Sequence, residues 1–590
     1  MKSEIVFFSG NEAIARGAYE AGVGFAVGYP GTPSTEILEN IAGYDEIRSQ
    51  WAPNEKVALD VATGTSLGGM RTLVSIKHVG LNVASDTLMV LPYSEMNGGL
   101  VVISADDPGI YSSQNEQDNR LLARFAKIPL IEPSDAQEAK DLVAVAMEIS
   151  EKFRTPVIFR TTMRIAHTKC RVTLGERTEV ELKPVALNPQ EHVIPIYANF
   201  RRAKLDEKLA RLASFSETIE WNRVEEGDSR TGVITSGISY QHTREVFPEA
   251  TVLKLTMTNP LPREKITAFA GRFEKVYVIE ELEPFIEEQM RSWGISNIVG
   301  KSVLPATGEL SPDILRKAFL GEEIPDGPSF DVPVPPRPPA LCPGCPHAGV
   351  FYALKKLRIT ATGDIGCYTL GALPPLEALS TVFCMGASIG NAFGLEIARG
   401  EDFSRKLVAV IGDSTFIHGG IPSLIDVVYN SGASTVVICD NRTTGMTGHQ
   451  DHPGTGKTLK GKEVEELDLE NLARAAGVKH IRTVDPLDLK AMLAALTELL
   501  QMKEPSVLIS RRPCALLPEA REKEAPPYLI DQELCVDCGL CLKVGCPAIL
   551  DTEDKPVIIE EYCVGCGLCA CVCQIDAICP VEDTGKGQGS

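Results

Sequence analysis

Residues 407–441 read LVAVIGDSTFIHGGIPSLIDVVYNSGASTVVICDN, and this stretch decides the class of fold. LVAVIG and TVVICD are short runs rich in β-branched residues, as in buried parallel strands, and IPSLIDVVYN between them has helical spacing. The expected order is strand, turn, helix, strand. Asp413 then falls just past the first strand, and Asp440 and Asn441 just past the second. In an open α/β sheet ligands bind outside the carboxyl ends of the strands, so both acidic groups are expected to point into one crevice. A carboxylate, an amide oxygen and a backbone carbonyl are hard oxygen donors. They suit Mg²⁺, whose other positions are usually filled by substrate phosphates and water.

That spacing resembles the thiamine diphosphate (ThDP) motif, which begins Gly-Asp-Gly and ends in Asn roughly thirty residues later. On that match Gly412, Asp413, Ser414, Asn441 and Thr443 form the cofactor site. Asp413 and the Asn441 side chain are metal ligands, and the Thr443 carbonyl is the third. Ser414 stands where the motif has its second Gly, which bears on the backbone beside the diphosphate. The competing reading is an ordinary strand–helix–strand unit whose strands end in Asp and Asn because these residues favour turns.

At 590 residues the chain should hold about three to five domains. Hydrophobic residues make up 44% of it, enough for ordinary cores without wholesale disorder. MKSEIVFFSG at the N-terminus has too short an apolar run for a signal peptide, and nothing elsewhere reaches transmembrane length. A soluble, cytoplasmic protein is expected. The net charge of −21, with no long basic block, excludes a nucleic-acid surface. Seventeen cysteines in such a chain point to metal or redox chemistry rather than disulfides.

Residues 1–184 are expected to form one α/β domain. VGFAVGYP, TLVSIKH and LVVISADD are strand candidates, with helical patterns between them. In the turn GYPGTPSTEI, Ser34 or Thr35 can cap the next helix. Glu55 opens a small-residue helix, where a lone Glu is usually a solvated side chain favoured by the helix dipole. The polar run YSSQNEQDNRLLAR reads as a functional loop. Residues 185–228 look like an amphipathic helical connector. Residues 229–323 form a smaller α/β unit with no clustered ionisable residues, and read as architectural. A proline-rich linker at 324–340 cannot fold compactly. A third α/β domain covers 341–517, and a Cys-rich domain 525–584.

That last domain reads CVDCGLCLKVGCP and then CVGCGLCACVC, the second run having the spacing of a bacterial two-[4Fe-4S] ferredoxin. In such folds the fourth Cys of each run ligates the other cluster. One set is then Cys535, Cys538, Cys541 and Cys573, and the other Cys563, Cys566, Cys569 and Cys546. Cys571 and Cys579 are surplus, and either could replace a named ligand. A pair of zinc knuckles is the alternative. A looser set, Cys342 and Cys345 of CPGCPH, Cys367 of GDIGC and Cys514 of RRPC, could hold a third cubane or be buried apolar cysteines.

Taken together, GYPGTPSTEI, NEKVA, KHVGLN, ADDPG, SSQNEQDNR, CPGCPH, GDIGCYTLG, DNRTTGMTGHQ and RRPCAL resemble the 2-oxoacid:ferredoxin oxidoreductases. The likeness is to the large subunit of the members that act on aryl pyruvates, and it spans nearly the whole chain. It implies a multidomain α/β fold: a pyrimidine-binding domain, a transketolase-C-like domain, a diphosphate-binding domain and a two-cluster ferredoxin domain. The cofactor would lie between the first and third of these, across a dimer interface. It also implies that Glu55 hydrogen-bonds the aminopyrimidine, that Thr32 approaches the substrate's carbonyl or carboxylate, and that Arg120 grips the carboxylate. Cys342, Cys345, Cys367 and Cys514 would bind a proximal cluster. The implied reaction is oxidative decarboxylation of a 2-oxo acid to its acyl-coenzyme A, with electrons passed singly to external ferredoxin. The implied assembly is a dimer of heterodimers with a smaller β subunit, away from membranes. Two rivals are the same chemistry on pyruvate or a branched-chain 2-oxo acid, and an electron-transfer subunit without ThDP catalysis.

Overall fold

The two β-branched runs form the parallel strands Leu407–Gly412 and Thr435–Asp440, paired in register from Val408–Thr435 to Gly412–Cys439. The helix between them begins at Asp413, about two turns earlier than the spacing suggests. It passes through a π-type turn at Phe416–Gly420 before the regular segment Ile421–Tyr429. Such turns recur at functional sites. The computed structural model describes residues 4–581 apart from 186, 229, 325–326, 328–337 and 522–524. The expected linker at 324–340 therefore lies largely outside the described residues, as do the last residues of the Cys-rich domain. The chain divides into two units, Met1–Asp331 and Val332–Ser590.

The first unit carries a seven-stranded sheet in the order Met257–Asn259, Leu130–Ile131, Val157–Thr162, Leu100–Asp106, Thr72–Lys77, Phe25–Gly28, Arg48–Trp51. All pairs are parallel except the first. After Phe25–Gly28 the chain forms the edge strand Arg48–Trp51, then crosses back to Thr72–Lys77 on the other side. Strand order reverses there, so a crevice opens outside the carboxyl ends of Phe25–Gly28 and Thr72–Lys77. Ser34 and Thr35 do not cap the helix Thr35–Ile41. The Ser34 hydroxyl donates to the Gly31 carbonyl (2.8 Å) and Thr35 Oγ1 accepts from the Gly31 N–H (2.9 Å), fixing the turn that carries Thr32. Asn54 does cap Glu55–Leu67, accepting from the Val57 N–H at 2.9 Å.

A second, five-stranded sheet in this unit has the order Ile298–Val299, Val276–Ile279, Gly232–Ser236, Thr251–Leu255, Arg223–Glu225. Its edge strand precedes residue 229, and Met257–Asn259 leaves it to pair with the larger sheet. The expected connector forms the helix Ala198–Thr218 and is docked: Arg201 donates to the Tyr93 carbonyl (2.6 Å), and Lys208 to those of Pro92 and Ser94 (3.2 and 3.3 Å).

In the second unit the order is Thr360–Thr362, Leu407–Gly412, Thr435–Asp440, Ser506–Arg511, His480–Val484, all parallel. Val408, Val410, Val437 and Leu508 bury into a core on one face; Ala409, Ile411, Val436, Ile438, Val507 and Ile509 bury into a core on the other. A sheet covered on both faces explains why its strands read as continuous apolar runs. The Cys-rich segment has two short antiparallel pairs, Tyr528–Ile530 with Ile578–Pro580 at its two ends and the hairpin Ile549–Leu550 with Val557–Ile558 between them. Its Val544, Leu568 and Val572 join the first of those cores. Among the described residues no helix is long and apolar enough to cross a membrane.

Candidate active site

Three oxygens converge at the carboxyl ends of the two central strands of the second unit. The Asn441 side-chain oxygen lies 2.9 Å from the Thr443 carbonyl oxygen and 3.2 Å from Asp413 Oδ1. Turned over, the amide donates hydrogen bonds to both; facing them with its oxygen, it completes a set of three oxygen donors that a cation could take. Neighbouring ligands of an octahedral Mg²⁺ at 2.0–2.1 Å stand about 2.9 Å apart, so the donors fit that ion. Asp413 is buried and accepts from the Ser414 N–H (2.8 Å) and the Arg442 N–H (2.9 Å), with His452 Nε2 3.3 Å from its Oδ2. Burial alone would raise its pKa, but His452 and these donors hold it below the usual carboxylate range.

Ser414 is accommodated: its buried hydroxyl accepts from Thr444 Oγ1 at 3.1 Å. Asp440 departs from expectation. It is the last residue of its strand and accepts from Arg511 Nε on the adjacent strand at 2.7 Å, so its carboxylate is engaged along the sheet. Behind Asp413 lies His347, buried edge-on against Tyr368. Burial brings its pKa down to about 4 despite Asp413 nearby, so it is neutral.

The cysteines gather in sets. Cys546, Cys563, Cys566 and Cys569 line one cavity together with Cys342 and Cys345. Burial pushes Cys546 up to about 11, with charge on Cys566 and Cys563 adding to it; Cys569 is pushed to about 12, with Cys566, Cys546 and Cys563 adding. Burial likewise raises Cys367 to about 11, with Cys514 and Cys342 adding, and Cys345 is raised by burial with Cys342, Cys367 and Cys514 near it. The looser set is thus brought together from three separate loops. Cys541 is raised by burial with Cys535 and Cys538 beside it, and Cys535, Cys541 and Cys573 share a small core. Cys573 is half-buried whereas Cys571 is exposed. Among the described residues no three His, Cys, Asp or Glu side chains close around a point fit for a single metal ion. A cubane, which offers each thiolate its own iron, takes a wider set.

The first unit's crevice holds Thr32, Glu55 and Lys77, each at the carboxyl end of one of three adjoining strands. Glu55 is buried rather than solvated, and Gly80 makes room for it: a Cβ at Gly80 would lie 2.8 Å from Glu55 Cγ and 2.9 Å from its Oε1. Thr32 is partly buried, its carbonyl accepting from Ser112 Oγ at 3.2 Å.

Two sequence families match the chain. Residues 16–229 match the one described as pyruvate flavodoxin/ferredoxin oxidoreductase, thiamine diphosphate-binding, and residues 364–510 the thiamine pyrophosphate enzyme C-terminal TPP-binding domain. The indolepyruvate oxidoreductase subunit IorA of Archaeoglobus fulgidus is 39% identical over 98% of both chains. The chain belongs to the IorA family. Its Pyrococcus horikoshii relative of the same description is 40% identical over 94% of both chains. A solved structure, 2-oxoglutarate:ferredoxin oxidoreductase from Magnetococcus marinus, shares 17% identity at a TM-score of 0.44, over 53% of this chain and 64% of that one. The parallel-sheet units are ThDP domains, and the enzyme is a ThDP-dependent 2-oxoacid oxidoreductase.

Within this IorA-family chain Arg120 is not placed to grip a substrate. It is 1% exposed: Nε and Nη2 bond Asp118, Nη1 bonds Glu280 (2.8 Å), and Nη2 also reaches the carbonyls of Glu281 and Glu283. With every guanidinium nitrogen occupied it is a structural cation. Nor is the region after residue 229 free of ionisable clusters. Glu280 and Glu281 are buried there, near Arg160, which pairs with Asp106 (2.6 Å) and Glu132 (2.8 Å). These partners lie up to 163 residues apart, so no local signal could reveal them. Lys77 sits inside the phrase KHVGLN, where no spacing or partner in the sequence marks it as a site residue.

Proposed function

We propose that the chain is the catalytic subunit for oxidative decarboxylation of aryl pyruvates, indole-3-pyruvate first among them. The products are the aryl-acetyl-coenzyme A and carbon dioxide, and ferredoxin is reduced by single electrons. The three-oxygen convergence of Asp413, Asn441 and Thr443 carries this reading, since it suits a Mg²⁺ ion holding a diphosphate. ThDP supplies, when bound, a nucleophilic carbon for the 2-oxo group and an electron sink for loss of carbon dioxide. Asp413, held ionised, and the Asn441 and Thr443 oxygens anchor the metal. Glu55, buried beside Gly80, meets the aminopyrimidine ring and relays its proton. Thr32 faces the substrate. The three thiol sets hold three [4Fe-4S] clusters, which provide one-electron carriers: Cys342, Cys345, Cys367 and Cys514; Cys546, Cys563, Cys566 and Cys569; and Cys535, Cys538, Cys541 and Cys573. The last eight make residues 525–584 a bacterial-type ferredoxin domain.

Its relatives are named as one subunit of their enzyme, which supports a smaller β subunit as partner, in a dimer of heterodimers, with residues 1–184, 229–323 and 341–517 as the three α/β domains and the cytoplasm as the site of action. The test is anaerobic analysis of the purified complex for iron, sulfide, Mg²⁺ and ThDP, with turnover compared on indole-3-pyruvate, phenylpyruvate and pyruvate. About twelve irons and one ThDP per chain are expected from three cubanes, with the aryl substrates preferred. Cys566→Ala should remove about four irons and leave ThDP in place. Eight irons in the parent protein would overturn the proximal cluster, and absence of ThDP after loading with Mg²⁺ would overturn the enzyme.

A further inference from the structure

We infer that Lys77 is the residue that receives the carboxylate of the incoming 2-oxo acid, a role resting on the 2-oxo acid reading above. Lys77 ends the strand Thr72–Lys77 at the point where strand order reverses, where ligands of open α/β sheets bind. Its aliphatic stem crosses the turn that carries Thr32. A Cβ at Gly31 would lie 2.9 Å from Lys77 Cβ and 3.5 Å from Cδ, so Gly31 lets the lysine lie flat against that turn. The ammonium donates to the Ser112 carbonyl at 2.5 Å and has Ser112 Oγ at 3.5 Å. Ser112 in turn donates to the Thr32 carbonyl at 3.2 Å. The amine end of Lys77 and the backbone of Thr32 are therefore bridged by one exposed loop residue.

The ammonium has three N–H donors and meets two acceptors on that single residue, which leaves it capacity for an anion. The nearest carboxylate does not use it up. Asp107 accepts from the N–H groups of Tyr111 (3.2 Å) and Ser112 (2.9 Å) and from Ser113 Oγ (2.5 Å), and so is committed to holding the loop. Burial brings Lys77 down to about 8, opposed by Asp107, so it is still protonated at neutral pH. The arginines of this unit's core are committed elsewhere: Arg120 to Asp118 and Glu280, and Arg160 to Asp106 and Glu132. Among the described residues no ion pair holds Lys77, a buried cation beside Thr32, and the 2-oxo acid brings the anion that fits it.

The test uses two ligands that cannot be decarboxylated, indole-3-lactate and its neutral counterpart tryptophol, titrated onto the ThDP-loaded complex. The unmodified complex should prefer the acid at least tenfold. Lys77→Met and Lys77→Gln should bring the two affinities within twofold of each other at unchanged ThDP content, and Lys77→Arg should restore part of the preference. In the unmodified complex, indole-3-lactate but not tryptophol should shield Lys77 from acetic anhydride at least fivefold, read by peptide mass spectrometry; this arm needs no variant to fold. Retention of the acid preference in either neutral variant, or equal shielding by both ligands, would overturn the assignment. Failure of the unmodified complex to oxidise any 2-oxo acid would instead overturn the reading on which it rests.

Discussion

The two units treat their buried polar groups in opposite ways. In the first, Lys77 apart, the large buried cations of the sheet core are paired inside the chain: Arg120 is held by Asp118 and Glu280, Arg160 by Asp106 and Glu132, and Lys254 by Glu138. In the second, groups of one kind face one another. Three oxygens point at a common centre, and thiols crowd with thiols. A buried cluster whose members satisfy one another is architecture, because removing one partner strands the other. A cluster of like donor atoms is a set of ligands that something bound between them would use. That contrast separates a scaffold residue from a ligand residue without knowledge of the ligand.

The contrast can be broken most sharply at Asp413. Asp413→Ala should lower turnover at least 10³-fold, because the metal that orients the diphosphate is lost; ThDP content should fall while iron content stays constant. Arg120→Met should behave oppositely. It should cost about 3–5 kcal/mol in denaturant unfolding of the first unit by stranding Glu280 and Asp118, while folded enzyme keeps its KM for the 2-oxo acid within twofold. A substrate-gripping arginine would give the reverse.

Glu281 sharpens the comparison through pH. Burial, opposed by the Leu310 N–H, raises its pKa to about 7. The folded state therefore binds a proton that the unfolded state releases near its ordinary pKa. Its contribution is complete below pH ~4.5 and fades as pH rises through about 7, at a slope of up to about 1.4 kcal/mol per pH unit. Glu281→Gln should flatten that part of the stability profile. The smallest effect is expected from Ser414→Gly, which loses one buried hydrogen bond, about 0.5–1.5 kcal/mol, and should leave turnover within threefold.

What was legible in the sequence follows the range of the interactions. The strands around Asp413 were plain because burial on both faces demands unbroken apolar runs, and Asp413 and Asn441 because each directly follows or ends such a run. The thiol sets of the Cys-rich segment were plain because one loop supplies three thiols each time. Cys342, Cys367 and Cys514 needed the fold to bring three loops together. At Asp440 the sequence points to the crevice and the structure to the sheet, because its partner Arg511 sits on a strand that is adjacent in space and 71 residues away in sequence. At Glu55 the residue type and helix position alone suggest a solvated side chain, and only the resemblance points to a buried one, because the room for it comes from Gly80, whose lack of a side chain carries no chemical signal. Arg120 looked available because Glu280 lies in another sheet's loop.

Val544, Leu568 and Val572 of the Cys-rich segment sit in the same core as Val408, Val410 and Val437. Cutting the chain ahead of that segment would bare three apolar side chains, at roughly 1.5–3 kcal/mol each, and uncover the sheet face beneath Asp413. The Cys-rich segment is therefore a wall of the same core as the Asp413 strand and not an appendage on a tether.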